Sequence, residues 1–342
     1  MSGRSVSELL GSLLAVAAQP KWNPEGLDSP RYTLPLLVHD YPALTPSMWN
    51  ACYRRFGLPV RNVAVVCRAA DLGRVFEVLR DDARYAGGGI GVGLKSEAPL
   101  HLDHTDPMVQ AIGAANLIRR TRDGRLTGHN TDGDGYLRSL EQALAAAGRD
   151  VTGLKLLLLG AGGSARAIAL ALARRGAELV VLNRTPERAA GLAELVNRFV
   201  ERPACRAGGE AEIVSEASKA DVIVNVSTKG ATGSLERYSA LAEAPVPVTP
   251  EHLEQNRAAS RRLLASLPGS TLISDVVLRD GPTPTLALAR ELGFTTLDGV
   301  GMVVQQGVEA FGLLHEDELR EKGITRSDVA AVMQQAARAS QR

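Results

Sequence analysis

Hydrophobic and polar positions repeat along most of the chain in the order of a strand followed by a helix. The repeat is clearest at Leu156–Thr185, where an aliphatic run, Leu156–Leu159, enters a turn rich in glycine. A long stretch of Ala and Leu then ends at Gly176, and a second aliphatic run, Leu179–Leu182, follows. Short aliphatic runs on either side of a helical pattern predict two parallel strands joined by a helix.

The same alternation continues on both sides of this segment and predicts an α/β protein. Further strands are predicted at Leu34–Val38, Val60–Cys67, Asp221–Val226 and Leu272–Val277. Helices are predicted at Leu44–Phe56, Leu72–Leu79, Pro107–Gly113, Tyr136–Ala147, Pro186–Phe199, Pro250–Leu267, Thr285–Leu292 and Val300–Leu314. A hairpin is expected about Asp123-Gly124, and the glycine-dense segment Gly87–Gly93 is predicted to be a loop.

The glycine turn after the first aliphatic run is typical of a dinucleotide site. Gly160 permits the tight turn, Gly162 lets the backbone approach a pyrophosphate, and Ala165 takes the small position where helix packs on strand. Free N–H groups at the start of the following helix would then face the phosphates. The residues expected to bind them are Gly160, Ala161, Gly162, Gly163, Ser164 and Ala165. The alternative is a purely structural glycine turn.

The end of the second aliphatic run indicates which dinucleotide is bound. An Asp or Glu at this point would hold the ribose 2′-hydroxyl of NAD(H). The chain instead has Asn183, Arg184 and Thr185, with Arg188 one turn further on. A guanidinium can bind a 2′-phosphate through paired hydrogen bonds, whereas a carboxylate would repel it. We therefore predict NADP(H) as the cofactor; alternatively, the two arginines form a solvated helix face.

Composition and charge disfavour several other classes of function. The 342 residues have a formal net charge of +1 and only 4% aromatic side chains, which disfavours a nucleic-acid partner. Cys52, Cys67 and Cys205 are scattered without a CxxC pair, so we expect neither a disulfide framework nor a metal site. No apolar run reaches the roughly 18 residues of a membrane span. We therefore expect no membrane partner and a cytoplasmic protein.

Polar residues cluster at three places before the glycine turn and at one place after it. Lys95 follows the glycine-dense segment, Asn116 lies at the start of a predicted strand, and Asp132 lies within Gly128–Gly135. Taken singly, they could be a surface lysine, a hairpin residue, and a turn or helix cap. The polar loop Asn225–Gly230 follows a predicted strand, at the edge where such sheets bind ligands.

Together, these motifs and their order resemble the shikimate dehydrogenase family, which reduces 3-dehydroshikimate with NADPH. The family's GxNVTxPxK, LDxLxPxAxxIGAVNT and LxGxNTDxxG segments are similar to GGGIGVGLK, LDHTDPMVQAIGAANL and LTGHNTDGDG in this chain. Its GAGGxxRA and NRT motifs are unchanged, and its NxT/SxxG loop and GxGMLxxQ helix have similar counterparts. These segments are Gly87–Lys95, Leu102–Leu117, Leu126–Gly135, Gly160–Ala167, Asn183–Thr185, Asn225–Gly230 and Gly299–Gly307.

The resemblance implies a role for each of the polar residues. Lys95 and Asp132 match the catalytic pair, in which the ammonium supplies a proton to the developing alkoxide and the carboxylate orients it. The resemblance also implies that Thr45, Asn116 and Gln306 contact the substrate. The remaining residues expected to contact the cofactor are Asn225, Ser227, Thr228, Gly299 and Met302.

The substrate side departs from the family pattern. The family's S-x-S-P motif holds the substrate carboxylate with two serines, but here Ala43 replaces the first and Thr45 the second. The asparagine and threonine of NVT become Gly89 and Gly91, and an expected tyrosine becomes Leu278. Each missing partner of a buried charged group would cost on the order of 1–3 kcal/mol. We therefore expect an altered substrate specificity.

These observations predict a two-domain α/β oxidoreductase. Residues 31–133 and 299–342 are expected to form a discontinuous α/β substrate-binding domain, and residues 134–298 a Rossmann-type, doubly wound NADP-binding domain. Residues 1–30 would be an N-terminal extension. The active site is expected in the cleft between the domains, and the protein is expected to be a monomer or homodimer.

The expected reaction is reversible hydride transfer between NADPH and a cyclic keto or hydroxy acid such as 3-dehydroshikimate or shikimate, a step of aromatic amino acid biosynthesis. One alternative is a quinate/shikimate or aminoshikimate dehydrogenase, and another is imine reduction on the same fold. An alternative from a different class is a non-catalytic NADP(H)-binding sensor.

Overall fold

The computed structural model describes residues 12, 19–20, 29–38 and 44–340, which fall into two compact units. We call the residues up to Gly135 and from Val303 onward the split unit, and Tyr136–Met302 the continuous unit. The predicted domain boundaries, after residues 133 and 298, lie two and four residues before the observed boundaries, which follow Gly135 and Met302. Most of the predicted N-terminal extension lies outside the described residues.

The strands of the described residues form three sheets. In chain order they are β1 Gln19–Pro20, β2 Arg31–Thr33, β3 Leu36–Leu37, β4 Val60–Asn62, β5 Val65–Val66, β6 Tyr85–Gly89, β7 His104–Thr105, β8 Leu117–Arg120, β9 Leu126–His129, β10 Lys155–Leu159, β11 Glu178–Asn183, β12 Cys205–Gly209, β13 Val222–Asn225, β14 Leu272–Asp275 and β15 Thr296–Asp298.

The helices alternate with these strands. They are α1 Leu44–Phe56, α2 Leu72–Asp81, α3 Pro107–Ile112, α4 Asp132–Ala145, α5 Gly163–Arg174, α6 Pro186–Val200, α7 Ile213–Ala217, α8 Pro250–Ser266, α9 Pro284–Glu291, α10 Gly299–Glu321 and α11 Arg326–Ser340. Within α10 the backbone leaves helical geometry at His315, where φ is −126°. In the described parts of the chain, no helix is both long and apolar enough to cross a membrane.

A six-stranded mixed sheet, in the order β4-β2-β6-β8-β9-β7, forms the centre of the split unit. A smaller sheet has the order β1-β5-β3. Helix α2 contributes Phe76 to a buried cluster with Tyr32 of β2. A second core forms where Trp49 and Tyr53 of α1 meet Phe311 of α10, with ring centroids 5.8 and 5.2 Å apart. Apolar residues of α1 and α10 therefore hold the two chain segments of this unit together.

The predicted glycine loop is wrong in its first half, because β6 runs there between β2 and β8. A β-carbon on Gly87 would lie 2.2 Å from the backbone oxygen of Ile118, and one on Gly88 would lie 2.2 Å from that of Leu34. Glycine therefore permits a close approach of neighbouring backbones. Because a run of glycines has no apolar alternation, no pattern marks this strand.

Six parallel strands, in the order β12-β11-β10-β13-β14-β15, form the sheet of the continuous unit. Leu157, Ile223 and Ile273 point to one face and pack with residues of α7, α8 and α9. Leu156 and Leu158 alternate with them and are equally buried on the other face. This strand order is that of a doubly wound, Rossmann-type sheet, and the predicted α/β class is confirmed.

Several element boundaries differ from the predictions. The predicted strands Leu34–Val38 and Val60–Cys67 are wrong in extent, because the first contains only the two-residue strand β3 and the second is divided into the short strands β4 and β5. Strands β12 and β15 were not predicted, since the first contains two glycines and the second is only three residues long. Helix α4 begins at Asp132 rather than Tyr136, so its first turn carries a carboxylate.

Candidate functional site

Four side chains predicted from the sequence meet in the split unit. Lys95 lies in a turn after β6, Asn116 immediately precedes β8, Asp132 begins α4, and Gln306 lies on α10. The Lys95 Nζ donates a hydrogen bond to Asp132 Oδ2 at 2.5 Å. The Asp132 side chain is only 4% exposed and that of Lys95 is 22% exposed. The pair is thus partly shielded from water, with its ammonium on the more accessible side.

Asn116 fixes the second oxygen of the Asp132 carboxylate. The Asn116 Nδ2 lies 2.8 Å from Asp132 Oδ1, 3.0 Å from Gln306 Oε1 and 3.1 Å from the Thr131 hydroxyl. Its Oδ1 accepts a hydrogen bond from the Thr131 backbone N–H at 2.8 Å, which sets the orientation of the amide. The two carboxylate oxygens are therefore held by different donors, and the carboxylate cannot rotate without losing one of them.

Gln306 reaches this group because α4 and α10 approach closely. A β-carbon on Gly135 would lie 2.6 Å from the Gln306 backbone nitrogen, so only glycine fits at this point. The Thr131 hydroxyl also donates to the Gln306 backbone oxygen at 3.1 Å. Thr131 was not among the predicted site residues, although it lies in the NTD segment that pointed to Asp132.

The structure does not connect the remaining predicted substrate residues to this group. Thr45 is a partly exposed residue in the first turn of α1 and takes no part in the hydrogen bonds that join the four side chains. Ala43 lies outside the described residues. A β-carbon on Gly89 would lie 3.8 Å from the Asn116 oxygen and 3.9 Å from Pro35, so there is room for a side chain where the chain has none.

The predicted cofactor residues all lie in the continuous unit, along the carboxyl ends of its strands. Gly160, with φ +125°, follows β10, and a β-carbon there would lie 2.8 Å from the Ser227 nitrogen. Gly162 is the N-cap of α5 and, because it has no side chain, it gives the N–H groups of the first turn no capping hydrogen bond. A β-carbon on Gly162 or Gly163 would meet no atom within 4 Å. The helix N-terminus is thus uncapped by any side chain and faces open space, which suits a phosphate.

The NRT motif leads from β11 into α6. The Asn183 Nδ2 donates to the Thr185 oxygen at 3.0 Å, and Thr185 is the N-cap of α6 without a side-chain hydrogen bond. Arg184 and Arg188 are both exposed, so their guanidinium groups can reach a ligand at this corner of the sheet.

The loop after β13 is shaped from within by Asn225, which is only 1% exposed. Its Oδ1 accepts from the Ser227 N–H and hydroxyl at 3.0 and 2.7 Å, and its Nδ2 donates to the Lys229 oxygen and Asp275 Oδ1 at 2.9 and 3.0 Å. Asn225 therefore holds the loop, whereas Thr228 is exposed and accessible to a ligand. The predicted contact of Asn225 with the cofactor stays a prediction.

Gly299 and Met302 lie at the start of α10, beside the loop that follows β14. A β-carbon on Gly299 would lie 2.6 Å from the Val276 oxygen and 3.2 Å from Leu278 Cδ2, while Met302 is 8% exposed. Leu278, at the position of the family's tyrosine, is 50% exposed. The apolar side chain of Leu278 thus offers this edge no hydroxyl.

Asp275, the last residue of β14, is fully buried and was not singled out from the sequence. Burial raises the pKa of Asp275 to about 6, although hydrogen bonds from Asn225, Thr283 and the Val277 N–H oppose the shift. The carboxylate accepts from the Thr283 hydroxyl at 2.7 Å. Asp275 therefore ties the loop after β13 to the loop after β14.

Comparisons with known proteins place both units in one family. A family model described as "Shikimate dehydrogenase substrate binding domain" matches residues 41–118, and one described as "Shikimate / quinate 5-dehydrogenase" matches residues 141–242. The shikimate dehydrogenase (NADP(+)) of Moorella thermoacetica is 35% identical over 273 residues, which cover 79% of this chain and 83% of the relative.

Two solved structures resemble most of the chain. The shikimate 5-dehydrogenase of Thermus thermophilus, in complex with NADP(H) and shikimate, is 28% identical with a TM-score of 0.65, covering 90% of this chain and 99% of its own. The ligand-free 5-ketofructose reductase of Gluconobacter sp. strain CHM43 is 27% identical with a TM-score of 0.67, covering 89% and 98%. The resemblance inferred from the motifs is thus confirmed, and the chain belongs to the shikimate dehydrogenase family.

Proposed function

We propose that this chain is an NADP(H)-dependent dehydrogenase that interconverts a ketone and a secondary alcohol on a cyclic, hydroxylated acid such as 3-dehydroshikimate or shikimate. The observation that carries the proposal is the Lys95–Asp132 hydrogen bond of 2.5 Å, held in place by Asn116. The names of the curated relatives, which specify shikimate and NADP(+), support the same reaction and cofactor. A non-catalytic sensor would not need this ordered pair.

The continuous unit has the residues needed to hold NADP(H). The uncapped N-terminus of α5 behind Gly162 would bind the pyrophosphate. Arg184, with Arg188 one turn further on, would bind the 2′-phosphate through charge-assisted hydrogen bonds. When bound, NADPH supplies the hydride that reduces the carbonyl carbon. Thr228, Gly299 and Met302 are proposed to border the same edge of the sheet.

Residues of the split unit are proposed to transfer a proton to and from the substrate oxygen. Lys95 would donate a proton from Nζ to the substrate oxygen as negative charge develops there, and its ammonium charge would stabilise that oxygen. Asp132 would hold the ammonium in place, because one carboxylate oxygen bonds Lys95 and the other bonds Asn116. In the oxidation direction the same pair would take the proton from the alcohol. Gln306 and Thr45 are proposed to bind substrate hydroxyl or carboxylate groups.

A second candidate substrate is an uncharged, polyhydroxylated ketone. It is favoured by the bare position at Gly89, where the structure leaves room for a side chain beside the Asn116 backbone, and by the exposed Leu278. It is also favoured by the likeness to 5-ketofructose reductase, whose named substrate has no carboxylate. With fewer hydroxyl and amide partners for a carboxylate than the family pattern has, binding an acid would leave its charge less well paired.

The experiment is a survey of substrates with each cofactor, followed by nicotinamide absorbance. Shikimate, quinate, their amino analogues and uncharged cyclic or open-chain polyols are offered with NADP⁺ and with NAD⁺. Oxidation of shikimate with NADP⁺ supports the first proposal, and oxidation of a polyol alone supports the second. Activity with NAD⁺ alone contradicts the role given to Arg184, and NADPH binding without any turnover would favour the sensor.

Lys95→Met tests the proton donor directly. Because a positioned acid–base group contributes roughly 10²- to 10⁴-fold, we expect kcat to fall by about that factor while the Kd for NADPH stays unchanged. The exposed Lys322→Met serves as the control and should behave like the parent protein. A Lys95→Met protein with turnover within threefold of the parent would remove Lys95 from the mechanism.

We further propose that the protein acts in the cytoplasm on a small-molecule substrate, as a monomer or homodimer. All three cysteines are free and buried. Burial raises the pKa of Cys67 to about 11 and that of Cys52 and Cys205 to about 12, so all three remain protonated thiols. Unreactive, unpaired thiols are typical of a reducing compartment.

A further inference from the structure

A buried ion pair, to which the proposed function gives no role, lies at the carboxyl edge of the continuous unit. Lys229 belongs to the loop after β13, and its side chain is only 7% exposed. Its Nζ lies 2.9 Å from Glu210 Oε1 and donates to the Ala242 oxygen at 2.7 Å. The Glu210 side chain is 19% exposed. Burying two charged groups is costly unless each satisfies the other, so the pair invites a functional explanation.

Both partners border the proposed cofactor site. The loop that carries Lys229 contacts the glycine turn, since a β-carbon on Gly160 would lie 2.8 Å from the Ser227 nitrogen. Glu210 follows β12, whose last residue is paired in register with Asn183, the last residue of β11. Arg184 and Glu210 therefore each follow the last paired residue of two adjacent parallel strands, and both leave the sheet at the same corner.

The charges around Lys229 balance. Burial lowers the pKa of Lys229, Glu210 and Glu243 oppose this shift, and Arg184 reinforces it. Lys229 thus lies within electrostatic range of two carboxylates and of one further cation, and of these only Glu210 is in direct contact with it. Removing the Lys229 charge would leave Glu210 and Glu243 with Arg184 as the remaining cation among the four. Arg184, which leaves the sheet at the same corner as Glu210, would then be the cation left in this group for the Glu210 carboxylate.

We propose that Lys229 determines cofactor specificity as a positioning residue: by pairing with Glu210 it keeps this carboxylate from Arg184 and leaves the guanidinium for the 2′-phosphate of NADP(H). The inference rests on the proposed function, in which Arg184 binds that phosphate. A carboxylate and a phosphate compete for the same guanidinium donors. The pair would therefore act on the preference for NADPH over NADH rather than on nucleotide binding as a whole.

The test measures the Kd for NADPH and for NADH with the purified full-length protein, by nicotinamide fluorescence. Lys229→Met should weaken NADPH binding at least tenfold more than NADH binding. Glu210→Gln removes the competing carboxylate, and should keep or increase the preference for NADPH. The double variant Lys229→Met/Glu210→Gln should restore the NADPH-to-NADH ratio to within about threefold of the parent, because no carboxylate is then released.

A merely structural ion pair would give a different pattern. Both single variants would then weaken NADPH and NADH equally, or the double variant would not restore the ratio, and either result overturns the inference. If Lys229→Met does not fold, as judged by circular dichroism, Glu210→Gln decides alone, and a fall in its NADPH preference counts against the proposal. If the parent protein binds neither nucleotide, the proposed function itself fails, and this inference fails with it.

Discussion

Asn116 has a structural role that the sequence alone did not indicate. The family resemblance implies a contact with substrate, but the structure uses its Nδ2 for Asp132, Gln306 and Thr131. One oxygen of the Asp132 carboxylate accepts from Asn116 and the other accepts from Lys95. The Asn116 amide therefore fixes the carboxylate that orients the Lys95 ammonium. The substrate contact of Asn116 stays a prediction, while its support of Asp132 rests on geometry.

The buried carboxyl of Asp275 gives a pH-dependent prediction at the same scale. Its pKa is raised from 3.8 to about 6, so the folded protein binds this proton more tightly than the unfolded chain does. The contribution of Asp275 to stability is therefore greatest below about pH 4 and is lost as pH rises to about 6. In Asp275→Asn the part of the slope of unfolding free energy against pH that comes from this carboxyl should disappear.

Urea unfolding, followed by circular dichroism across the interval from pH 4 to pH 7, measures this slope. The exposed Asp280→Asn, from the same loop, is the control and should keep the slope of the parent protein. Identical slopes for Asp275→Asn and the parent would show that this carboxyl does not titrate as its burial requires.

At the scale of elements, glycines mark the places where backbones approach each other. Gly87 and Gly88 allow β6 to lie against its neighbours, and Gly135 allows α4 to approach α10. None of these contacts can be read from an apolar pattern, because a glycine contributes no side chain to that pattern. The sequence therefore predicted a loop where the structure has a strand.

Two glycine-to-alanine changes in helices of the split unit test this explanation. In Gly135→Ala the new β-carbon would meet the Gln306 backbone at 2.6–2.8 Å, so we expect a loss of about 1–3 kcal/mol in stability together with reduced kcat. Gly312 lies within α10 and a β-carbon there would meet no atom within 4 Å. Gly312→Ala should therefore stabilise the helix by up to about 1 kcal/mol.

Thermal unfolding and initial rates, measured side by side, distinguish the two variants. The comparison controls for the helix propensity of alanine, which is the same in both. Equal changes in Tm and kcat for Gly135→Ala and Gly312→Ala would argue against a steric role for Gly135.

At the scale of the whole molecule, a histidine buried in the core of the split unit predicts a loss of stability in acid. His315 is 0% exposed, its Nε2 lies 3.0 Å from the Tyr53 hydroxyl, and its ring lies 4.7 Å from that of Phe311. Burial lowers the pKa of His315 to about 4. The charge of Glu318 opposes this shift, and the charge of Arg31 reinforces it. The neutral ring is therefore the form that the fold accommodates.

Acid should destabilise the split unit through this group. The unfolded chain binds the proton near pH 6.5 and the folded protein only near pH 4. The contribution of the neutral His315 ring to stability is therefore fully present above about pH 6.5 and is lost as the pH falls toward 4. His315→Phe removes the group and should flatten this part of the pH profile. The sign is opposite to that expected for Asp275 in the continuous unit.

Tryptophan fluorescence of Trp49, buried beside Phe311, follows the unfolding of this core. Urea midpoints of the parent and of His315→Phe, measured from pH 7 down to pH 4, should diverge as the pH falls. If the two proteins lose stability in parallel, the acid sensitivity comes from other groups.

Much of the architecture follows from local patterns. Aliphatic runs such as Leu156–Leu159 and Leu179–Leu182 need burial on both faces, and this requirement alone predicts parallel strands covered by helices. The turn from Gly160 to Ala165 and the ordered motifs through Gln306 predicted the family, the fold class and the candidate site residues Lys95, Asn116, Asp132 and Gln306. These features depend on residues close together in the chain or on motifs of fixed wording.

By itself, then, the sequence determined the α/β class and the family, and it predicted the nucleotide-binding turn and the main polar residues of the candidate site. Only the tertiary structure decided that Gly87–Gly89 lie in a strand, that Asn116 holds Asp132, and that Lys229 pairs with Glu210. The reason is physical: backbone approach, burial and hydrogen bonds between distant residues are set by packing, and packing has no local signature in the chain.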